Sequence, residues 1–301
     1  MQTKNSIAYL YLVITFFCWG SNYVAAKFIM DAVPVTVLCA MRMLIAAIAF
    51  FFMVRKDLST PIDKADRKDL FLVGFLGYFV TVLLNYTGAG LAGASLGALV
   101  NSLNPVSISI IAAIVLKEKL TPLKGLCLAL AIAGAVVITW GSSGQGVGLG
   151  VLLVLGSVLS WGFASTLLRR LTTKYKPLLI TFYAITISLI FNLPCAAVSI
   201  IRHGTGFSGP ALLAIVYIGL VCTVVAHSLW SKSLSMLEAG RCSLFYPLQA
   251  LFSVLLGRIF LQEQLSAGFF LGAAFIVADL ALNFYDLRPR HSSALAPAPR
   301  P

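Results

Sequence analysis

The chain has 301 residues, of which 59% are hydrophobic and 11% are charged, and its formal net charge is +12. Soluble domains carry about 25% charged residues, so this composition excludes a soluble globular protein and indicates a membrane protein with several spans. The positive charges fall between apolar segments and not on one face, which is typical of loops that set membrane topology and excludes a nucleic-acid-binding surface.

Apolar segments of about 20 residues, the length that crosses a bilayer core, follow one another along the chain. They predict ten membrane-spanning helices at 6–27, 34–54, 69–88, 92–116, 121–140, 149–170, 177–200, 210–233, 239–261 and 266–285. The first segment follows Lys4 and continues to Ala26 without a small-residue cleavage site, so we interpret it as a helix and not as a signal peptide. The Pro/Ala-rich tail at 288–301 is typical of a disordered segment.

The basic residues predict the orientation of the chain. If both termini are cytoplasmic, all but four of the 22 Lys and Arg residues lie in cytoplasmic segments, the exceptions being Lys27, Arg42, Arg202 and Arg258. Because cytoplasmic loops are enriched in Lys and Arg, we predict a multi-pass protein of a bacterial inner membrane with both termini in the cytoplasm.

The sequence contains an internal repeat. WGSNYVAAK at 19–27 is matched by WGFASTLLR at 161–169, and NSLNPVSISIIAAIVLKEKLT at 101–121 aligns with YPLQALFSVLLGRIFLQEQLS at 246–266 without a gap. The offsets of 142 and 145 predict two five-helix units at 1–144 and 145–287. Because five is odd, the second unit crosses the membrane in the opposite sense. The predicted fold is therefore an all-α membrane protein with ten helices in a 5+5 inverted-topology repeat, which is typical of transporters.

The segments FFCWGSNYVAAK, AMRMLIAA, LNPVSISIIAAIVLKEKLTPLKG and IGLVCTVVAHSLWSKSLSMLEAGRCSLFYPLQALFSVLLGRIFLQEQLS resemble the EamA branch of the drug/metabolite transporter superfamily. The resemblance covers the chain apart from the tail. It implies a ten-helix secondary carrier of small metabolites, often an exporter, with a central cavity. Amino acids are the substrates we expect from it. A carrier of cationic drugs or sugars is the alternative, and a membrane-embedded enzyme ranks below both because no catalytic motif is present.

Repeat-related positions indicate which helix faces line a shared cavity. Five such pairs are polar or aromatic in both copies: Trp19 with Trp161, Tyr78 with Thr223, Asn85 with Trp230, Asn101 with Tyr246, and Asn104 with Gln249. Polar side chains in a bilayer face protein or water, and helical spacing adds further residues. We predict a substrate site formed by Trp19, Asn22, Tyr23, Tyr78, Asn85, Asn101, Asn104, Trp161, His227, Trp230, Tyr246 and Gln249. The alternative is that these groups only bond and pack helices together, or belong to the interfacial aromatic belt.

Among the ionisable groups within predicted spans, three bear on the mechanism: Arg42, His227 and Asp279. His227 and Asp279 are candidates for proton coupling, since an intramembrane ionisable group is a functional candidate by default, although a lone buried His is more often simply hydrogen-bonded. Arg42 lies about 12 Å into the second span and matches a basic position of the resembled family. We interpret it as a structural charge that bonds helix-end carbonyls, with substrate binding as the alternative. The sequence predicts no cofactor and no metal site.

The expected partners are a small-molecule substrate, the lipid bilayer and protons. Two motifs of small residues, Gly93-x-x-x-Gly97 and Gly268-x-x-x-Gly272, allow close helix contacts. They leave open whether the protein is a monomer or a homodimer.

Overall fold

The computed structural model describes residues 2–30, 32–116 and 147–262, together with positions 270, 274 and 278. All the regular elements within these ranges are helices. They are α1 (Gln2–Lys27), α2 (Val35–Val54), α3 (Lys64–Ala92), α4 (Ala94–Asn101), α5 (Asn104–Val115), α6 (Val147–Thr172), α7 (Pro177–His203), α8 (Gly209–Met236), α9 (Ala239–Ser243) and α10 (Tyr246–Leu256).

Seven helical stretches of the described residues are long and apolar enough to cross a membrane: α1, α2, α3, α6, α7, α8 and the run from α9 to Leu261. The shorter apolar helix α5 accompanies them. Large side chains such as Ile201 and Leu213 are 84% and 72% exposed on the outer faces, as expected for a surface that meets lipid. The prediction of an all-helical, multi-span membrane protein is confirmed. The predicted spans 121–140 and 266–285 and the tail lie outside the continuous described ranges, so the count of ten stays a prediction.

The predicted span 92–116 is not one continuous helix. It consists of α4 and α5, separated by a turn at Ser102 and Leu103. Pro105 is the second residue of α5 and has no N–H to donate to the preceding turn, so an unbroken helix through this point is unfavourable. In the second half a similar break at Leu244 and Phe245 separates α9 from α10, and Pro247 follows it.

Three of the membrane-spanning stretches contain a π-helical segment. One of them, Gly257–Leu261, follows α10. The other two run Val73–Val80 in α3 and Ile218–Val225 in α8, and they are related by the repeat offset of 145. Near each of these two a threonine hydroxyl donates to a carbonyl five residues earlier, at 2.8 Å in both cases. A π-helical turn is rare and is frequently found at a functional site.

The loop contacts place equivalent loops at opposite ends of the molecule. The α2–α3 loop and the start of α3 meet the α6–α7 loop through the ion pairs Asp57–Lys176 at 2.5 Å and Asp66–Lys174 at 2.9 Å. At the other end of α2, the α7–α8 loop reaches the α1–α2 loop, where Gly206 N donates to Ala32 O at 3.0 Å. The α6–α7 loop is the repeat counterpart of the α1–α2 loop, so the two lie at opposite ends, as an inverted repeat requires.

The glycine of each Trp-Gly phrase lies at a close helix contact. A Cβ on Gly20 would lie 2.7 Å from Cβ of Phe252 and 2.9 Å from the carbonyl oxygen of Gln249 in α10. A Cβ on Gly162 would lie 2.9 Å from Cβ of Ser107 in α5. Phe252 is the repeat counterpart of Ser107 at the offset of 145. Each half thus uses the same glycine to approach the same position of the other half, which gives a structural reason for the repeated phrase.

Candidate substrate-binding cavity

A cavity of about 80 Å³ lies between the two halves of the described structure. Nine of the twelve predicted site residues line it, from α1, α3, α4, α6, α8 and α10. These nine are Trp19, Asn22, Tyr23, Asn85, Asn101, Trp161, His227, Tyr246 and Gln249. Both repeats therefore contribute to one shared site.

Trp19 lies at the centre of the aromatic part of the lining. Its ring centroid is 5.2 Å from that of His227, 5.5 Å from that of Trp230, 5.9 Å from that of Trp161 and 6.0 Å from that of Tyr246. In addition, Trp161 Nε1 donates a hydrogen bond to the Tyr246 hydroxyl. Tilted and edge-to-face ring pairs at these distances are favourable beyond their buried area. This cluster gives the cavity a flat, apolar wall.

The remaining three predicted residues lie behind the lining. Tyr78 and Trp230 are fully buried. The ring centroid of Tyr78 lies 4.9 Å from that of His227, and Trp230 packs against Trp19. Asn104 Nδ2 donates to Asn101 Oδ1 at 2.9 Å. These three side chains support residues that face the cavity.

Carboxamide side chains form a second part of the wall and connect the two repeats. Asn85 Nδ2 donates to Asn101 Oδ1 at 3.3 Å and to Ser157 Oγ at 3.2 Å. Asn101 Nδ2 in turn donates to Gln249 Oε1 at 3.5 Å. The structure thus brings these polar faces of the two repeats into contact.

Arg42 lines the cavity and is 4% exposed. Its Nε donates to Thr223 Oγ1 at 3.0 Å and its Nη1 donates to the Tyr86 hydroxyl. The hydrogen bonds of Arg42 to described residues thus go to side chains and not to the helix-end carbonyls that we expected. The guanidinium carbon also lies 5.3 Å from the centroid of the Tyr86 ring.

The predicted set of site residues does not include Tyr86 and Thr81, which also line the cavity with Gly77 and Val82. The repeat carried a signal for the first, because Tyr86 pairs with Ser231 at the offset of 145. Thr81 shares the helical face of Tyr78 and Asn85.

His227, one of the two proton-coupling candidates, is buried between Trp19, Tyr78 and Trp161. Its Nδ1 has no hydrogen-bond partner among the described residues. Asp279, the other candidate, lies outside the described residues. In the part of the chain that the structure describes, no group of three or more His, Cys, Asp or Glu residues is arranged to hold a metal ion.

Comparison with known proteins identifies the family. Residues 6–140 and 148–285 each match the EamA-like transporter family. The chain is 27% identical over 304 residues to a protein of Escherichia coli K12 named probable amino-acid metabolite efflux pump, and the match covers 96% of this chain and 98% of that protein. It is 22% identical over 298 residues to the S-adenosylmethionine/S-adenosylhomocysteine transporter of Chlamydia muridarum, covering 93% and 92%.

A solved structure shares the fold. This crystal structure of a protein 19% identical to the chain superposes with a TM-score of 0.68, and the match covers 97% of this chain and 100% of that one. The family match includes both repeats and nearly the whole sequence, and it indicates a transporter and not an enzyme. The chain therefore belongs to the EamA-like transporter family of the drug/metabolite transporter superfamily.

Proposed function

We propose that this protein is a secondary transporter that exports small organic metabolites, amino acids foremost, across the bacterial inner membrane by alternating access. One observation carries the proposal: a single cavity is lined by equivalent faces of two repeats. A site shared by two inverted repeats keeps its lining while the halves rock against each other, so it can open to either side in turn.

Two observations favour amino acids as the substrate class. One relative is named as an amino-acid metabolite efflux pump and another as a transporter of S-adenosylmethionine, a compound that contains an amino-acid group. The cavity also combines carboxamide groups, a guanidinium and indole rings. Such a lining suits a molecule with a charged polar end and an apolar end.

The charge of the cavity wall disfavours cationic drugs. Two unit positive charges about 6 Å apart repel by about 3 kcal/mol at an effective dielectric constant of about 20. For a cation next to Arg42, this repulsion exceeds the stabilisation of about 0.5–2 kcal/mol that a cation–π contact contributes. A zwitterion or an anion would instead be attracted.

The size of the cavity bears on how it works. A volume of about 80 Å³ is well below the ~150 Å³ that holds benzene in an engineered apolar cavity. A substrate with a large side chain therefore requires the aromatic cluster to move. We infer that the described arrangement is a contracted state of the transport cycle.

The remaining parts of the proposal concern the orientation, the coupling ion and the oligomeric state. Both termini lie in the cytoplasm, because this orientation gives the strongest positive-inside bias. Protons are the coupling ion, with His227 and Asp279 as their carriers. The protein functions as a monomer or as a homodimer.

Counterflow in proteoliposomes tests the transport function. Vesicles preloaded with unlabelled amino acids are given labelled amino acids outside, and uptake is compared with protein-free vesicles. Asn101→Leu removes a carboxamide from the cavity, whereas Asn192→Leu removes a buried carboxamide of α7 that bonds Ser188 O outside it. We expect counterflow in the wild type and in Asn192→Leu, and a strong loss in Asn101→Leu. If no amino acid exchanges through folded protein, the substrate class is wrong and sugars become the next candidates.

A further inference from the structure

Arg42 is a buried cation without a carboxylate partner among the described residues. Four ion pairs join described side chains, and none of them includes Arg42. Its two hydrogen-bond acceptors are the neutral hydroxyls of Thr223 and Tyr86. Hydroxyls satisfy donors but do not neutralise a charge, and an uncompensated buried charge is unfavourable. An anion that enters the cavity would therefore stabilise the buried charge of the guanidinium.

The two hydroxyls hold the guanidinium in one orientation. The Thr223 hydroxyl donates its proton to Ile218 O at 2.8 Å, and the Tyr86 hydroxyl donates its proton to Asn22 Oδ1 at 2.7 Å. Because each proton is already used, both oxygens face Arg42 as acceptors. These two oxygens accept the hydrogen bonds of Nε and Nη1, whereas Nη2 donates no hydrogen bond to a described residue.

The charge is present in only one of the two repeats. At the repeat offsets of 142 to 145, Arg42 corresponds to positions 184–187, which read AITI and contain no basic residue. The two halves therefore share a tryptophan at one equivalent position of the lining, Trp19 and Trp161, but they do not share the charge. A site with one fixed cation orients a ligand that carries one negative group.

We propose that Arg42 binds the carboxylate group of the transported substrate. Guanidinium and carboxylate form short, charge-assisted and often bidentate hydrogen bonds. The substrate's apolar part then lies towards Trp19 and Trp161. This inference rests on the proposed transport function and defines its substrates more narrowly, as molecules with a free carboxylate.

Matched pairs of acid and amide test the subsite without relying on transport. L-alanine is compared with L-alaninamide, and L-phenylalanine with L-phenylalaninamide, as ligands that raise the Tm of the purified protein in detergent. The members of each pair differ only in the carboxylate. We expect the acids to bind at least about tenfold more tightly than the amides. Equal affinity of acid and amide in the wild type overturns the subsite, and so does protein that neither acid stabilises.

Three variants separate recognition from folding. In Arg42→Gln the preference for the acid should disappear, and Arg42→Lys, which keeps the charge but loses the bidentate geometry, should keep part of it. Arg202→Gln, at the exposed end of α7, should bind as the wild type does. If Arg42→Gln weakens acid and amide equally, Arg42 serves the fold and the subsite is refuted. If Arg42→Gln does not fold, the ratio of acid affinity to amide affinity in the wild type and in Arg42→Lys still decides whether the subsite exists.

Counterflow distinguishes the two proposals. If amides exchange as well as acids do, the transport function stands and the carboxylate subsite falls. If the acids stabilise the protein but do not exchange, the subsite stands and the transport proposal falls.

Discussion

Trp19 and Trp161, which begin the same Trp-Gly phrase in the two repeats, meet edge to face at the centre of the molecule, with ring centroids 5.9 Å apart and planes at 85°. Equivalent residues of two inverted units can touch only near the axis that relates them. The contact therefore marks the place where the halves of the protein meet and where the cavity begins. Any rocking of one repeat against the other changes this contact.

The two tryptophans should respond differently to replacement by phenylalanine. Trp161→Phe removes the Nε1 donor to the Tyr246 hydroxyl, and a buried group that loses its partner costs about 1–3 kcal/mol. Trp19 has no such bond to a described residue, so Trp19→Phe weakens only ring packing. We expect both variants to lose counterflow and Trp161→Phe to lower the Tm in detergent more than Trp19→Phe does.

Phe52→Leu is the control for this comparison, because Phe52 lies on α2 and is 62% exposed. It should leave both Tm and counterflow near the wild-type values. Equal Tm losses in Trp19→Phe and Trp161→Phe would show that ring packing, and not the hydrogen bond, dominates.

Alanine should be poorly tolerated at the glycines that follow these tryptophans. In Gly20→Ala the new Cβ meets the carbonyl oxygen of Gln249 and in Gly162→Ala it meets Ser107. Overpacking of this kind typically costs about 1–3 kcal/mol. Because backbone yields less than a side chain, we expect Gly20→Ala to be the more severe. Gly148→Ala, where no atom lies within 4 Å of the new Cβ, is the control, and thermal unfolding in detergent is the measurement.

A second variant makes the glycine prediction sharper. Ser107→Ala removes the hydroxyl that a Cβ on Gly162 would meet most closely. The double variant Gly162→Ala, Ser107→Ala should therefore recover part of the lost Tm. No recovery would mean that α5 and α6 separate as whole helices.

The internal repeat predicted most of the cavity, because a symmetric site requires polar or aromatic groups at equivalent positions of both units. That test works for Trp19 and Trp161 and for the carboxamides, which have counterparts. It does not work for Arg42, because its counterpart positions 184–187 contain no basic residue, so the sequence did not indicate which residues bind the guanidinium. Only the folded chain brings Thr223 and Tyr86, from two other helices, to the guanidinium.

Local backbone geometry was the other feature that the sequence did not reveal. A π-helical segment keeps the apolar composition of an ordinary helix, so the pattern at Val73–Val80 gives no signal of it. The break at Ser102 was predictable only in part. Pro105 indicated that the carbonyl of Asn101 loses its helical donor, but it did not fix where the turn begins.

Because of the ion pair between Asp66 and Lys174, the stability of the protein should fall as the pH rises in the alkaline range. Lys174 Nζ lies 2.9 and 3.0 Å from the two carboxylate oxygens, and this carboxylate raises the pKa of Lys174 above its ordinary value. A lysine whose pKa is higher in the folded state stabilises the fold fully below its unfolded pKa, about 10.4. That contribution is lost as the pH rises through the folded pKa.

We therefore expect Lys174→Gln to lower the Tm relative to the wild type at neutral pH. The difference should persist to about pH 9 and shrink above the unfolded pKa of about 10.4. Lys68→Gln is the control, since Lys68 is exposed and belongs to none of the ion pairs between described residues. A difference between Lys174→Gln and wild type that does not change up to pH 11 contradicts the prediction.

Proton coupling should depend on His227 or Asp279, while exchange should not. An ionisable group within a membrane span is a functional candidate, and His227 lines the cavity with Nδ1 unbonded to any described residue. His227→Phe keeps an aromatic ring against Trp19 and Tyr78 and removes only the proton site. Asp279→Asn removes the ionisable carboxyl group.

Exchange moves no net proton, so counterflow should continue in both variants. Accumulation driven by an imposed pH gradient should disappear in whichever variant lacks the coupling group. Wild-type accumulation in both single variants and in the double variant would mean that neither residue carries the proton, and that the gradient acts through another ion or not at all.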